Sequence, residues 1–409
     1  MSAGRSSNPS ADLAARAFAE IAASVVDLVD GFMAADHRLF LVGGAVRDVF
    51  VASELADSHA AAPEVDLTDL DFTTAAHPEE IIRLVRPHAS AVWTQGERFG
   101  TIGATIDGRL VEITTHRAES YDEASRKPVV TFGKTLEADL ARRDFTINAL
   151  AVSLPECDVV DPFDGRSDLV AGILRTPLAP EVSFSDDPLR MLRAARFLAR
   201  FGLDPAPELV RAAADGAGRL AIVSAERVQA ELEKLFSVEN PEPALAFLDE
   251  TGLLAEVLPE LVSISEPDRA EAQALAGSPG SPLVRRAGLL LPIAASARGA
   301  LARLRYSRAD SVDTVRLLDA VDIAIGGVAT DRDVRVVVDS IGLDRCADLI
   351  QLNANVRSHR RLVGEGHFVE ALQRLGDRED LADLDSPVSG GELITKLGLE
   401  PGPLVGQAV

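Results

Sequence analysis

Apolar residues recur at helical spacing through Ala11–Ala35 with no internal proline, which predicts one amphipathic helix. Arg38–Val42 is a short apolar run that ends in Gly43-Gly44, and Ala45–Phe50 resumes the helical period, so this stretch reads as strand, glycine turn, helix. Ser53–Val65 is small, polar and acidic, which predicts a surface insertion. Asp66–Thr74 alternates polar and apolar residues as a half-buried strand does, and Pro78 opens a helix to about Val85. Gly100–Ile106 and Arg109–Thr115 read as strands joined through Asp107-Gly108, residue types that tolerate the positive φ values of a tight hairpin. Together these elements predict an α+β half built on a small mixed or antiparallel sheet.

His116–Ala138 is polar, charged and without period, and is expected to form a loop. After Asp161–Gly165 strand-like runs give way to helical patterns at Asp187–Phe201, Glu208–Leu220, Ala225–Phe236 and Pro243–Thr251, so the second half is expected to be all-α. Gly277–Pro282 is a glycine- and proline-rich loop, and no internal repeat of solenoid length is present.

Composition narrows the class. Hydrophobic residues make up 47% and charged residues 26%, the balance of a globular protein. The longest apolar stretch, around Ala287–Ala295, is interrupted by Pro292 and falls short of the roughly 20 residues that cross a bilayer. The opening MSAGRSSNPS lacks the apolar centre of a signal peptide, so a cytoplasmic location without membrane partners is expected. Cys157 and Cys346 are too few for a disulfide framework or a thiolate zinc site and read as ordinary core thiols. Net charge is −23, from 64 acids against 41 Lys and Arg, which excludes a protein that coats nucleic acid non-specifically but leaves room for a local basic face. Only Lys127, Lys134, Lys234 and Lys396 are lysines. The cations are almost all arginines, whose planar fork suits phosphates and base edges.

Three constellations carry chemistry. Residues two apart in a strand share a face, so Asp69 and Asp71 can hold one or two hard divalent cations, while Gly43-Gly44 at a helix start offers backbone N–H groups to a triphosphate. Glu112, flanked by apolar residues on the later strand, is a candidate third carboxylate. In Arg142–Leu150, Arg143 can clamp a phosphate bidentately and Asp144 or Asn148 can read a ribose hydroxyl. In Asp186–Phe197, Pro188 suits a helix first turn, and Arg190, Arg193 and Arg196 recur every third residue. Asp187 with Arg190 presents an acceptor and donors that could pair with the Watson–Crick edge of a base. Each motif alone also reads as solvated strand, turn or helix surface.

The stretches LVGGAVRD, DLDFTT, RFGTIGATIDGRLVEITTHRAE, ARRDFTINALA, DPFDGRSDL and DDPLRMLRAARF occur in that order between about residues 38 and 200, with weaker likeness to about 260. This ordered set resembles the class II (bacterial) CCA tRNA nucleotidyltransferase and poly(A) polymerase family of the polymerase-β nucleotidyltransferase superfamily. The resemblance implies an α+β nucleotidyltransferase head (1–160, with an N-terminal helix), a helical neck and body (161–260), and a helical tail (261–409) like a degenerate HD domain. It implies Mg2+ held by Asp69 and Asp71, nucleotide contacts from Gly44, Arg47 and Arg143, and a protein template for CTP or ATP at Asp187, Arg190, Arg193 and Arg196. Ser224–Arg227 with Glu231 and Lys234 resembles a further helical motif. The implied substrate is the 3′ end of tRNA, extended with CCA by in-line attack of the terminal ribose hydroxyl on the α-phosphate. Poly(A) synthesis, or addition of only CC or only A, are the rivals within this chemistry, and a catalytically silent tRNA-binding protein is the rival from another class. Oligomeric state is left open.

Some positions depart from the family pattern. Val49–Val65 lacks the usual Leu-Leu-Gly step and is longer than expected, and Asp186-Asp187 replaces Glu-Asp. Arg286–Ile293 resembles the helix that carries a His-Asp metal pair in many relatives, with Leu291-Pro292 in its place, and no histidine is followed by Asp, so phosphohydrolase activity is not expected. His359 and His367 are expected to be structural or surface residues.

Overall fold

The computed structural model describes residues 9–57, 68–120, 129–132, 135–325, 330–362, 367–382, 390–398, 400 and 402. Two compact units emerge, Met1–Val223 with Phe247–Glu256, and Ser224–Ala246 with Val257–Val409.

The first unit begins with α1 (Pro9–Ser24) and α2 (Val26–Ala34). The single helix expected over Ala11–Ala35 is broken at Val25, next to Ser24, whose hydroxyl donates to the Ile21 carbonyl and competes with the helical ladder. β1 (Leu39–Val42), α3 (Gly44–Asp57), β2 (Asp69–Thr74) and α4 (Pro78–Val85) follow as the pattern predicts. The insertion expected at Ser53–Val65 is in its first part a continuation of α3. Ser53 is buried and its hydroxyl donates to Val49 O at 2.6 Å, whereas residues 58–67 lie outside the described residues. β3 (Ala91–Trp93), β4 (Thr101–Ile106) and β5 (Arg109–Thr115) complete one side of the sheet, with Asp107 (φ 47°) and Gly108 (φ 78°) making the turn.

The loop expected at His116–Ala138 contains β6 (Arg117–Ser120) paired antiparallel with β7 (Val129–Phe132), then the start of α5 (Leu136–Ala141); residues 121–128 and 133–134 lie outside the described residues. β8 (Ala151–Leu154) and β9 (Val159–Val160) were not foreseen, because a fully buried four-residue strand has no alternation to read. α6 (Gly165–Ala171), α7 (Pro180–Asp186), α8 (Leu189–Phe201) and α9 (Pro207–Gly216) follow.

The sheet is mixed, in the order β3-β4-β5-β2-β1-β8-β9, with β2 and β5 parallel and the other pairs antiparallel. Leu70, Phe72, Ile102, Ala104, Val111 and Ile113 point to one face, where Phe18, Leu28, Phe32, Val46, Phe50 and Ile81 from α1–α4 cover them. The alternate residues of β2 and β5 therefore look out from the other face.

The second unit is helical, beginning with α10 (Ala225–Phe236). Its helix Pro282–Leu290 is buried from Leu283 onward, and two of the buried residues are arginines. Arg285 donates to the carbonyls of Phe236, Glu239 and Ser278 and so satisfies the C-terminal end of α10. Arg286 donates to Glu233 at 2.7 Å and to Thr314 at 2.9 Å, and the Tyr306 hydroxyl donates to the same Glu233 at 2.7 Å. The stretch Leu291–Ile293 is a short 3-10 turn. His359 and His367 are exposed, and of the two thiols expected in the core Cys346 is buried while Cys157 is only half-buried. Gly390–Leu397 is a helix, and residues 403–409 lie outside the described residues. Among the described residues no helix is long and apolar enough to cross a membrane.

Candidate active site

Period-two alternation puts Asp69 and Asp71 on the open face of β2, exposed, with Leu70 and Phe72 buried between and beyond them. β5 runs parallel in register, so Glu112 stands beside Asp71. Although Asp71 keeps solvent access, desolvation by the surrounding protein pushes its carboxyl up to about 6; Arg143 opposes this, and the Asp69 and Glu112 carboxylates add to it. Among the described residues, no group of three or more His, Cys, Asp or Glu side chains is gathered as a metal site. Glu112 thus neighbours the aspartate pair without completing a three-carboxylate cage.

Gly43 ties the motifs together. It adopts φ +76° between β1 and α3, a conformation that favours glycine. A Cβ placed on it would stand 3.1 Å from Arg143 Nη1 and 3.4 Å from Asp71 Oδ2. The glycine turn, the Arg143 fork and the Asp71 carboxylate, drawn from three segments spanning a hundred residues, therefore converge at one point. Gly44 begins α3, whose first N–H groups have no partner within the helix. Arg143 Nη2 lies 3.6 Å from Asp139 Oδ2, and its buried Nε has no hydrogen-bond partner among the described residues.

Asp139 was not singled out by the sequence reading. It is fully buried on α5, accepting from Arg142 Nε at 3.1 Å and from the Arg117 backbone N–H at 3.2 Å. Burial alone would raise its pKa, but Arg142, Arg143 and the Arg117 N–H outweigh it and hold the carboxyl below the usual range. The signal was present in the sequence as i,i+3 and i,i+4 acid–arginine pairs behind a Thr135 helix cap. His116, also missed, is buried with Nδ1 2.9 Å from Thr73 Oγ1, and burial lowers its pKa against the pull of Asp139.

Behind this front lies a chain of buried polar contacts. Arg193 Nε and Nη2 donate to Asp144 Oδ2 at 2.9 and 2.5 Å. Asp144 Oδ1 accepts from Asn148 Nδ2 and from the Phe145 N–H, both at 2.9 Å. Asn148 Oδ1 accepts from Arg47 Nη1 at 2.5 Å, and Arg47 Nε donates to Asp48 at 2.7 Å. Burial would raise the Asp144 pKa, yet Arg193, Asn148 and Arg190 bring it below the ordinary value. Arg47 is buried, its guanidinium 4.5 Å from the Phe201 ring and 5.3 Å from that of Phe197. Arg47, Asp144 and Asn148, expected to contact nucleotide, are thus engaged with one another and join α3, the 143–148 segment and α8.

Just before α8, Asp187 Oδ1 accepts from the Leu189 N–H at 3.2 Å, beside the helix start. Arg190 donates to Ser183 Oγ at 2.8 Å and to the Arg142 carbonyl at 2.5 Å, which places it against the Arg142-Arg143 segment. The three arginines do not form a solvated stripe. Arg193 is tied to Asp144, and Arg196 is buried with its guanidinium 4.6 Å from the Phe197 ring.

Known proteins resemble this chain in sequence and fold. Residues 39–175 match the poly A polymerase head domain, and residues 202–264 match the probable RNA and SrmB-binding site of polymerase A. The CCA-adding enzyme of Geobacillus sp. (strain WCH70) is 37% identical over 218 residues, 53% of this chain and 50% of the relative. That of Geobacillus stearothermophilus is 36% identical over 220 residues, 54% of this chain and 50% of the relative. The chain thus spans about half the length of the curated relatives it matches. The crystal structure of the Bacillus stearothermophilus CCA-adding enzyme in complex with CTP aligns with a TM-score of 0.72 over 94% of this chain and 90% of that one, at 27% identity. By sequence within residues 39–264 and by fold over most of its length, the chain is thus similar to poly A polymerase head-domain proteins and to CCA-adding enzymes.

Proposed function

We propose that this protein is a cytoplasmic tRNA nucleotidyltransferase that adds CCA to tRNA 3′ ends from CTP and ATP, releasing pyrophosphate. The observation that carries the reading is the convergence at Gly43, where a phosphate-binding turn, an arginine fork and a paired-aspartate strand meet. The likeness to CCA-adding enzymes, one of them in complex with CTP, supports the choice of substrate.

The donor set fits Mg2+. Two exposed carboxylates on one pleat, without a closed cage, suit an ion that keeps several waters and takes further oxygens from substrate phosphates. Asp69 and Asp71 would hold it, and when bound it would lower the pKa of the attacking ribose hydroxyl and neutralise the departing pyrophosphate. The α3 N-terminus and Arg143 bind and orient the triphosphate, which supplies the positioning on which phosphoryl-type transfer depends. Asp187 and Arg190, next to that segment, read the base edge. Arg47, Asp144, Asn148, Arg193 and Arg196 act from behind, locking the template helix to the head so that base and α-phosphate are held in one register. Head (1–160), body (161–260) and tail (261–409) remain the functional partition of this proposal.

Incubating a tRNA transcript that lacks its three terminal nucleotides with Mg2+, CTP and ATP, and sequencing the products, tests the reading. Addition of C, C and A is expected. A long A tail assigns poly(A) synthesis instead, and no incorporation removes the enzyme reading.

A further inference from the structure

Trp93, the single tryptophan of the chain, ends β3 at one margin of the sheet. The ladder registers place Trp93 opposite Gly103, Gly103 opposite Glu112, and Glu112 beside Asp71. Residues paired in this way direct their side chains to the same face, so the four form one row across four strands. That face is the one that carries the aspartate pair, since Ile102, Ala104, Val111 and Ile113 fill the core on the other side. The indole turns inward along the row. A Cβ on Gly103 would fall 1.9 Å from Trp93 Nε1 and 2.2 Å from Cε2, so the ring occupies the space that any side chain at 103 would need. Gly103 is buried under the ring while Trp93 stays partly accessible. With strands about 4.8 Å apart, the indole over Gly103 lies two strands, roughly 10 Å, from the strand of Asp71.

We propose that Trp93 is the stacking platform for the terminal base of the RNA strand whose 3′ hydroxyl attacks, an inference that rests on the nucleotidyl-transfer reading above. In-line transfer needs the nucleophile and the leaving pyrophosphate on opposite sides of the reacting phosphorus. Gly43, the α3 N-terminus and Arg143 gather the phosphate-binding groups on the β1 side of Asp71. The acceptor strand is left the β5-β4-β3 side, and there the row ends in an aromatic ring. A platform of this kind suits the reaction. The terminal base changes after every addition, and aromatic stacking accepts any base because every base has a π-face.

Tryptophan emission reports on this position alone. The full chain is titrated with the transcript lacking CCA, and with the same transcript carrying an abasic terminal nucleotide. Saturable quenching by the first and weaker quenching by the second are expected. Trp93→Leu keeps an apolar cover over Gly103 without an aromatic face; its KM for the transcript should rise about tenfold while its KM for CTP holds, and Trp93→Phe should recover most of the loss. Circular dichroism of Trp93→Leu confirms that it folds. Unchanged emission at saturating RNA, or a Trp93→Leu variant with wild-type KM for RNA, overturns the proposal and leaves the ring a packing role over the glycine of the neighbouring strand. Failure of the wild-type protein to extend the transcript would instead sink the transfer reading, so the two failures are told apart.

Discussion

Substitution of Gly43 by alanine would place one methyl group 3.1 Å from Arg143 Nη1 and 3.4 Å from Asp71 Oδ2, on a backbone with φ +76°. The left-handed conformation costs a residue with a Cβ about 1–2 kcal/mol. Losing the glycine's freedom in the unfolded chain offsets about 0.4–1 kcal/mol of that, so folding should weaken by only about 1 kcal/mol. The contact with Asp71 is an ordinary one, but the contact with Arg143 is tight, and the guanidinium must yield by a few tenths of an ångström. In a site whose catalysis is mostly positioning, a misplacement of about 1 Å costs roughly 100-fold. A smaller shift of the phosphate-binding fork should lower kcat/KM for CTP by about tenfold, or about 1.4 kcal/mol of transition-state stabilisation. Steady-state CTP incorporation into tRNA lacking CCA, alongside urea unfolding, measures both quantities. A folded Gly43→Ala variant with kcat/KM within about twofold of wild type would refute the placement of Arg143 and Gly43 at the nucleotide phosphates.

Asp69→Ala and Asp71→Ala remove exposed carboxylates from an intact strand, so turnover should disappear while circular dichroism and the urea midpoint hold; persistent turnover would remove the metal assignment. Asp144→Asn should cost about 2 kcal/mol at neutral pH, because a buried, charge-assisted acceptor of two arginine N–H groups is neutralised. The folded pKa of Asp144 is depressed, so its contribution is present above the unfolded value of about 3.9 and is lost as pH falls through the folded one. The gap between wild type and Asp144→Asn in urea unfolding should therefore narrow below about pH 4, and a gap that widens there contradicts the sign. Arg190→Ala should relax the choice between CTP and ATP more than it slows incorporation of the correct nucleotide, as measured by competition with both present. Equal loss for both nucleotides would make Arg190 a positioning residue only.

The candidate site was legible where its chemistry is local. Asp69 and Asp71 share a face because a strand has a period of two, and Gly43 marks a backbone position where a side chain is strained; both follow from neighbours in sequence. Asp139 was readable by the same logic, as an acid three and four residues before two arginines, yet nothing local indicates that it is fully buried. The mutual contacts of Arg47, Asp144, Asn148 and Arg193, and the burial of Arg196, were not legible. An arginine offered to a ligand and an arginine satisfied by a carboxylate 49 residues away are written with the same letter, and only the fold decides which it is.

The same division holds for the fold. Hydrophobic period and turn chemistry determined α4, the Asp107-Gly108 hairpin, α8 to within two residues at its start, and α10 at both ends, because these elements draw on caps, glycines and amphipathic faces within the segment. Tertiary structure decided the hairpin of β6 and β7 and the buried strand β8, whose hydrogen bonds go to Leu39–Val42 more than a hundred residues earlier. It also decided the row that joins Trp93, Gly103, Glu112 and Asp71, since register is a property of paired strands, and no single strand carries information about which residue will stand beside it.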